Sequence, residues 1–145
     1  MSWRIVTGDW DQLREDAQRL RIEVFVIEQS VPIELEWDES DEVSIHTVAY
    51  DEDGQPIATG RLLPDGHIGR MAVRKNLRGS GIGGMVLNTL LNEAKRIGHT
   101  KLILHAQTHA QGFYEHHGFD SEGEEFMEAG IPHMKMIHLL ENLSL

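Results

Sequence analysis

Residues 68–84, IGRMAVRKNLRGSGIGG, bring together three features that bind phosphate oxygens. An apolar strand segment carrying Ile68, Met71 and Val73 runs into a basic stretch of Arg74, Lys75 and Arg78. Glycines follow at alternate positions, Gly79, Gly81 and Gly83, and an amphipathic helix begins behind them. A cationic turn with free backbone N–H groups at a helix N-terminus attracts anions through hydrogen bonds and the helix dipole together. The chain carries a formal net charge of −11, so this cluster stands out. Residues 70–78 hold four basic residues and no acid, whereas residues 23–53 hold eleven carboxylates and no Lys or Arg. The acidic stretch reads either as a solvated face or as a negative potential that draws a cationic partner.

Gly79, Gly81 and Gly84 also satisfy G-x-G-x-x-G. A dinucleotide site opens the first βαβ unit of a chain and needs an acid about twenty residues on, at the end of the next strand. Here the motif follows several strands, and residues 97–110 contain no Asp or Glu. A P-loop would continue into Gly-Lys-Ser/Thr, which is missing. A bare connector would leave the basic cluster and the spacing of Arg78 unexplained.

The elements that must hold this turn can be read from periodicity. Residues 3–7 form a short first strand. Asp9 or Asp11 caps a helix reaching residue 29, with Leu13, Ala17, Leu20, Val24 and Ile27 on its buried face. Residues 30–41 are an acidic loop broken by Pro32. Strands at 43–50, 57–63 and 68–73, joined by turns at Asp53-Gly54 and Pro64-Asp65-Gly66, make an antiparallel meander. The helix after the glycines turns Ile82, Met85, Val86, Leu90, Ala94 and Ile97 inward and ends at Gly98. The apolar run in residues 101–107 predicts a strand buried on both faces, parallel to the strand before the helix. A short helix at 108–117 and strands near 119–126 and 135–140 complete a mixed α/β (α+β) sheet: an antiparallel meander followed by a parallel strand pair.

Composition sets outer limits. The 145 residues, 40% hydrophobic and 26% charged, fit one globular domain spanning 1–145. With no cysteine there is no disulfide, thiolate metal site or cysteine nucleophile. No apolar run has membrane-spanning length, and the N-terminus lacks the pattern of a signal peptide, so a cytoplasmic protein without membrane partners is expected. Net negative charge disfavours nucleic acid. Nine histidines raise the question of a metal, but none is expected. No H-E-x-x-H occurs, a strand-to-helix boundary separates His105 from His109, and His116 and His117 point apart on a helix.

Two separated motifs carry a family resemblance. Arg78-Gly79-Ser80-Gly81-Ile82-Gly83 is similar to the Arg/Gln-x-x-Gly-x-Gly pyrophosphate loop of the GNAT superfamily of N-acetyltransferases. Downstream, Ala110-Gln111-Gly112-Phe113-Tyr114-Glu115-His116-His117-Gly118-Phe119 resembles the family's A-x-x-F-Y-x-x-x-G-F element. The strand and helix order agrees over nearly the whole chain. RIEVFVIEQ at 21–29 and EAGIPH at 128–133 further resemble the ElaA-like subgroup of small bacterial acetyltransferases.

The resemblance implies the acyl-CoA N-acyltransferase fold, with acetyl-coenzyme A (acetyl-CoA) as co-substrate between the splayed fourth and fifth strands. On the cofactor side it implicates the backbone of Met71, Ala72 and Val73 for the pantetheine arm and the loop Arg78, Gly79, Ser80, Gly81, Ile82 and Gly83 for the pyrophosphate. Gln107, Gly112 and Tyr114 complete that side. It implies direct transfer to an amine, with Tyr114 as general acid to the leaving thiolate. On the acceptor side, Arg21, Phe25 and Glu28 share one helical face. Glu28 and His133 rank first as base or acceptor ligands, with Asp38, Asp41 and His46 behind. The acidic stretch favours a small cationic amine, or a lysine or N-terminal amine, as acceptor. A homodimer is left open. The alternative function is a non-catalytic acyl-CoA-binding sensor or interaction module; a longer acyl donor is a further variant.

Overall fold

A computed structural model describes residues 2–140. One seven-stranded sheet runs through it: β1 (Arg4–Gly8), β2 (Ile45–Tyr50), β3 (Pro56–Leu62), β4 (His67–Val73), β5 (Lys101–Gln107), β6 (Asp120–Glu128) and β7 (Ile131–Leu139). Their spatial order is β1-β2-β3-β4-β5-β7-β6. All neighbours pair antiparallel except β4 and β5, which are parallel, as expected for strands joined through a helix. The helices are α1 (Trp10–Arg21), α2 (Ile33–Glu36), α3 (Ile82–Arg96) and α4 (Gln111–His116).

Alternation along β2 and β3 explains why both strands are buried almost throughout. Val48 and Tyr50 join Trp10, Leu13, Ala17 and Leu20 of α1, while Ala49 belongs to the larger core built on α3. In α3, Ile82, Val86, Leu87 and Leu90 are fully buried, each worth about 1.5–3 kcal/mol over an exposed side chain. Met85 and Ile97, expected on the buried face, lie outside; Leu87 and Leu91 take the inward positions.

The first helix departs from the sequence expectation. Asp9 caps it, accepting from Gln12 N at 2.9 Å, while Gln12 Oε1 accepts from Asp9 N at 3.1 Å. Beyond Arg21 the chain widens into a π-helical segment, Ile22–Glu28. Gln29 N donates to Val24 O at 3.1 Å, an i→i+5 bond. The wider turn rotates the apolar stripe out of phase. Leu13, Ala17, Leu20 and Val24 face the core as expected, but Ile27 is 73% exposed. The acidic loop after it is also more ordered than its composition suggests, folding into α2 and a 3-10 turn at Glu39–Val43.

Strand β5 corrects a second expectation. Its burial alternates: Leu102, Leu104 and Ala106 are buried, whereas Lys101 and His105 are exposed. Only the inner face is covered, because the outer face borders an open cavity. The hydropathic run of Leu102, Ile103 and Leu104 therefore overstated the burial of this strand.

Candidate functional site

The cavity originates where β4 and β5 part. They pair at His67 with Ile103 and Ile68 with Leu104, and no pairing follows. From Gly69 onward, one edge of β4 has no strand partner among the described residues. A bulge bends β4 at this point. Thr59 faces Ala72 and Arg61 faces Gly69, so Gly60 opposes both Arg70 and Met71. Arg70 sits at φ +50°, a conformation that costs a non-glycine residue about 1–2 kcal/mol. A Cβ at Gly60 would collide with the Met71 sulfur, so the Met71 side chain packs into the space this glycine leaves.

Phe25, Gln29, Met71, Gln107, Tyr114 and His133 all line the resulting cavity of about 650 Å³. Of the residues singled out from sequence, it thus gathers Phe25, Met71, Gln107, Tyr114 and His133. Tyr114 is delivered by α4, packed edge-on against Phe113 and Phe119. Burial raises its pKa to about 12, so the phenol keeps its proton at neutral pH. His133 is delivered by the β6–β7 hairpin. Ala129 and Gly130 both have positive φ in a two-residue turn, which explains the glycine of EAGIPH. His133 Nδ1 donates to Ile131 O at 2.7 Å, leaving Nε2 directed to Glu128 Oε2 at 3.6 Å. Glu128 Oε1 also meets His105 Nδ1 at 3.2 Å.

At the other end of β4 lies the glycine loop. Gly79 and Gly81 have φ of +83° and +94°, with nothing within 4 Å of an added Cβ. Conformation, not space, selects glycine at these two positions. Close packing selects it at Gly83 and Gly84, where a Cβ would lie 3.2 Å from Val73 and 3.1 Å from His117. Gly81, the N-cap of α3, offers no side-chain cap; Ile82 N donates to Ser80 Oγ at 3.4 Å, and the N–H groups of Gly83 and Gly84 follow in the first turn, where an anion can be received. The Ile82 side chain is in the core, so only its backbone faces the loop. Ser80 is exposed, as is Gly112 in the first turn of α4. Ala72 and Val73 pair with Thr59 and Ala58 on the β3 side.

The remaining predicted residues lie elsewhere. Glu28 meets Arg78: its Oε1 accepts from Nη2 at 2.7 Å, and Oε2 contacts Nη1. The guanidinium holds the Glu28 carboxyl below its usual pKa range, which makes it a weaker base. Arg78 Nε donates to Val73 O at 3.1 Å. Arg21, Asp41 and His46 are buried away from the cavity. The π-helical turn explains why Arg21 does not share a face with Phe25 and Glu28 as an α-helix would require. Arg21 makes a fork to Asp41, 2.9 Å at each oxygen, and lies over the Trp10 ring. His46 Nε2 donates to Asp41 O at 2.9 Å and its ring packs on Trp10. Burial lowers the His46 pKa and keeps it neutral. Asp38 accepts from Arg61 at 2.7 Å and from Ser40 N at 2.9 Å. Desolvation raises its pKa, but these bonds outweigh it and bring the value to about 2. The Gln107 amide is paired reciprocally with that of Gln29, at 2.9 and 3.1 Å.

Sequence reasoning missed Gln29, Glu36, Arg61, Arg70, His105 and Glu128 on the cavity wall. Arg70 was grouped with the phosphate-binding basic run, yet the bulge turns it toward the cavity. Glu128 lay in the EAGIPH element, where only a hairpin turn brings it beside His133.

Comparison with known proteins agrees with this architecture. A family model described as acetyltransferase (GNAT) domain matches residues 13–140. An uncharacterized N-acetyltransferase of Bacillus subtilis, YjcF, is 41% identical over 137 residues, 92% of this chain and 96% of that protein. An acyl-CoA N-acyltransferase from Pseudomonas aeruginosa superposes with a TM-score of 0.84 at 33% identity, covering 94% of this chain and 99% of that one. Escherichia coli ElaA superposes with a TM-score of 0.79 at 29% identity, covering 94% and 98%.

Proposed function

The chain belongs to the GNAT acetyltransferase family, and from that premise we propose that it moves an acetyl group from acetyl-CoA directly to an amine. The observation that carries this reading is the unpartnered edge of β4 at Met71, opening into the same cavity that Tyr114 and His133 line. An extended pantetheine arm hydrogen-bonds to such an edge as an added strand would. The loop at 78–83 receives the pyrophosphate on backbone N–H groups, with the α3 dipole adding attraction. Arg78 supplies charge once it leaves Glu28.

The amine nitrogen attacks the thioester carbonyl carbon, and the carbon–sulfur bond breaks as the amide forms. A backbone N–H beside the bulge, at Met71 or Ala72, donates to the developing oxyanion; one such donor is worth about 3–4 kcal/mol. His133 Nε2 accepts the proton that the amine loses, because Nδ1–H is fixed by Ile131 O. Glu128 stands by to stabilise the imidazolium. Tyr114 gives its proton to the leaving thiolate, and its burial keeps that proton in place until the negative charge arrives.

The test is thiol release on mixing the protein with acetyl-CoA and a panel of amines. Release that requires both substrates supports the assignment. Binding of acetyl-CoA with no release from any amine, and none from longer acyl thioesters, favours the acyl-CoA sensor instead.

A further inference from the structure

The acidic stretch suggests a cationic acceptor, but three of its carboxylates are already matched. Glu36, Asp38 and Asp41 stand against Arg21, Arg61 and Arg70, three anions to three cations. Asp41 takes the Arg21 fork and also accepts from Arg61 Nη1 at 2.8 Å. Glu36 accepts from Arg21 Nε at 2.5 Å, and Asp38 accepts from Arg61 Nη2 at 2.7 Å.

Arg70 comes last in this arrangement. Its nearest carboxylate oxygens, on Glu36 and Asp38, are both 3.7 Å away. Among the described residues its one hydrogen bond runs to Leu35 O at 3.4 Å. A guanidinium carries five N–H donors, so most of them have no hydrogen-bond acceptor among the described residues. Nε of Arg70 and Nε of Arg61 are buried without a hydrogen-bond partner among the described residues, so any donor offered to the cavity comes from the terminal nitrogens of Arg70, whose side chain is 29% exposed. Both arginines line the cavity. Burial first, then the nearby Arg61 and Arg21 charges, lower the Arg70 pKa, while Glu36 and Asp38 pull it the other way. Across β5, the β6–β7 wall carries Glu128 and His133, of opposite character. Phe25, Val31, Leu35 and Ile131 give the lining its apolar area, beside the mutually paired amides of Gln29 and Gln107.

A cavity with spare guanidinium donors on one wall and a carboxylate–imidazole pair on the other fits a dipolar ligand. We propose that the acceptor is an amino acid with an apolar side chain, its carboxylate held by Arg70 and its amine turned toward His133 and Glu128. As a choice of acceptor this rests on the acetyl-transfer reading; as a binding site it does not.

Calorimetry on protein loaded with desulfo-coenzyme A separates the two. L-phenylalanine and L-leucine are each compared with their amides, which keep size and amine but lose the carboxylate charge. The acid is expected to bind about tenfold or more tightly than its amide. Arg70→Gln should remove that preference, and Arg70→Lys should retain part of it, since charge survives without the fork. Both variants should keep the affinity for acetyl-CoA, which also reports that they fold. Amides that bind as well as the acids, failure of both acids to bind, or a preference that survives Arg70→Gln would each overturn the proposal. Thiol release from amines without regard to a carboxylate overturns it while leaving acetyl transfer intact. Arg70-dependent binding of the acids with no thiol release overturns acetyl transfer and leaves the subsite standing.

Discussion

The two ends of β4 are built in different ways, and the proposed function gives each its own ligand. Beyond its C-terminal end, residues 78–84 form an anion cradle from consecutive backbone groups, with Gly79 and Gly81 at positive φ and an uncapped α3 behind them. At its bulge, the wall proposed to face the acceptor is made from side chains that are distant in sequence. Arg21 reaches Glu36 across 15 positions and Asp41 across 20, and Arg61 reaches Asp38 across 23. A backbone site needs only a local conformation, so a few residue types encode it. A side-chain wall needs several elements to arrive together, and its charges then cancel one another before any ligand comes. The cradle is therefore tuned for affinity and tolerant in stability, whereas the wall is part of what holds the fold.

The sharpest way to break that contrast is Asp41→Ala. The carboxylate is nearly inaccessible and serves two arginines, so its loss leaves Arg21 with Glu36 and Arg61 with Asp38 as their remaining carboxylate partners and should cost about 3–5 kcal/mol. Chemical denaturation checks this, and a midpoint equal to that of the parent would show that the wall is not structural. Tyr114→Phe tests the ground between the two ends. Turnover should fall by roughly 10²–10⁴-fold with acetyl-CoA affinity nearly unchanged. Because the phenol holds its proton to about pH 12, the parent rate should show no decline between pH 8 and pH 10. A full-speed phenylalanine variant would remove Tyr114 from the proton path.

Gly79→Ala addresses the cradle alone. Forcing a Cβ into positive φ should cost about 1–2 kcal/mol of stability and weaken acetyl-CoA binding by about tenfold, while the acceptor KM stays put. An equal loss on both sides would mean that cradle and wall are mechanically one unit. The smallest effect is expected from Glu28→Gln. The Glu28–Arg78 pair is partly exposed, so stability should change by less than about 1 kcal/mol. Freed from its carboxylate, Arg78 should bind acetyl-CoA a few-fold more tightly, with turnover preserved. Titration and steady-state kinetics together decide this, and a collapse of turnover would return Glu28 to the role of base.

Much of this molecule follows from local patterns. The three glycines and Arg78, the Phe113-Tyr114 pair, the capping Asp9 and the meander turns are each specified within a few residues. Bond geometry and side-chain volume act at that range. The π-helical turn at 22–28 was not legible, because its apolar residues satisfy an α-helical period equally well until the wider turn carries Ile27 into solvent. The outer face of β5 was not legible either. An apolar run cannot reveal whether a second layer covers it.

The sequence by itself determined the glycine loop, the order of elements and the Phe113-Tyr114 pair, since these rest on backbone conformation and short spacings. Only the tertiary structure decided where the charges of the acidic stretch go. Coulombic pairing depends on separation in space, and the bulge that turns Arg70 toward the cavity, like the hairpin that sets Glu128 beside His133, has meaning only once the sheet is assembled.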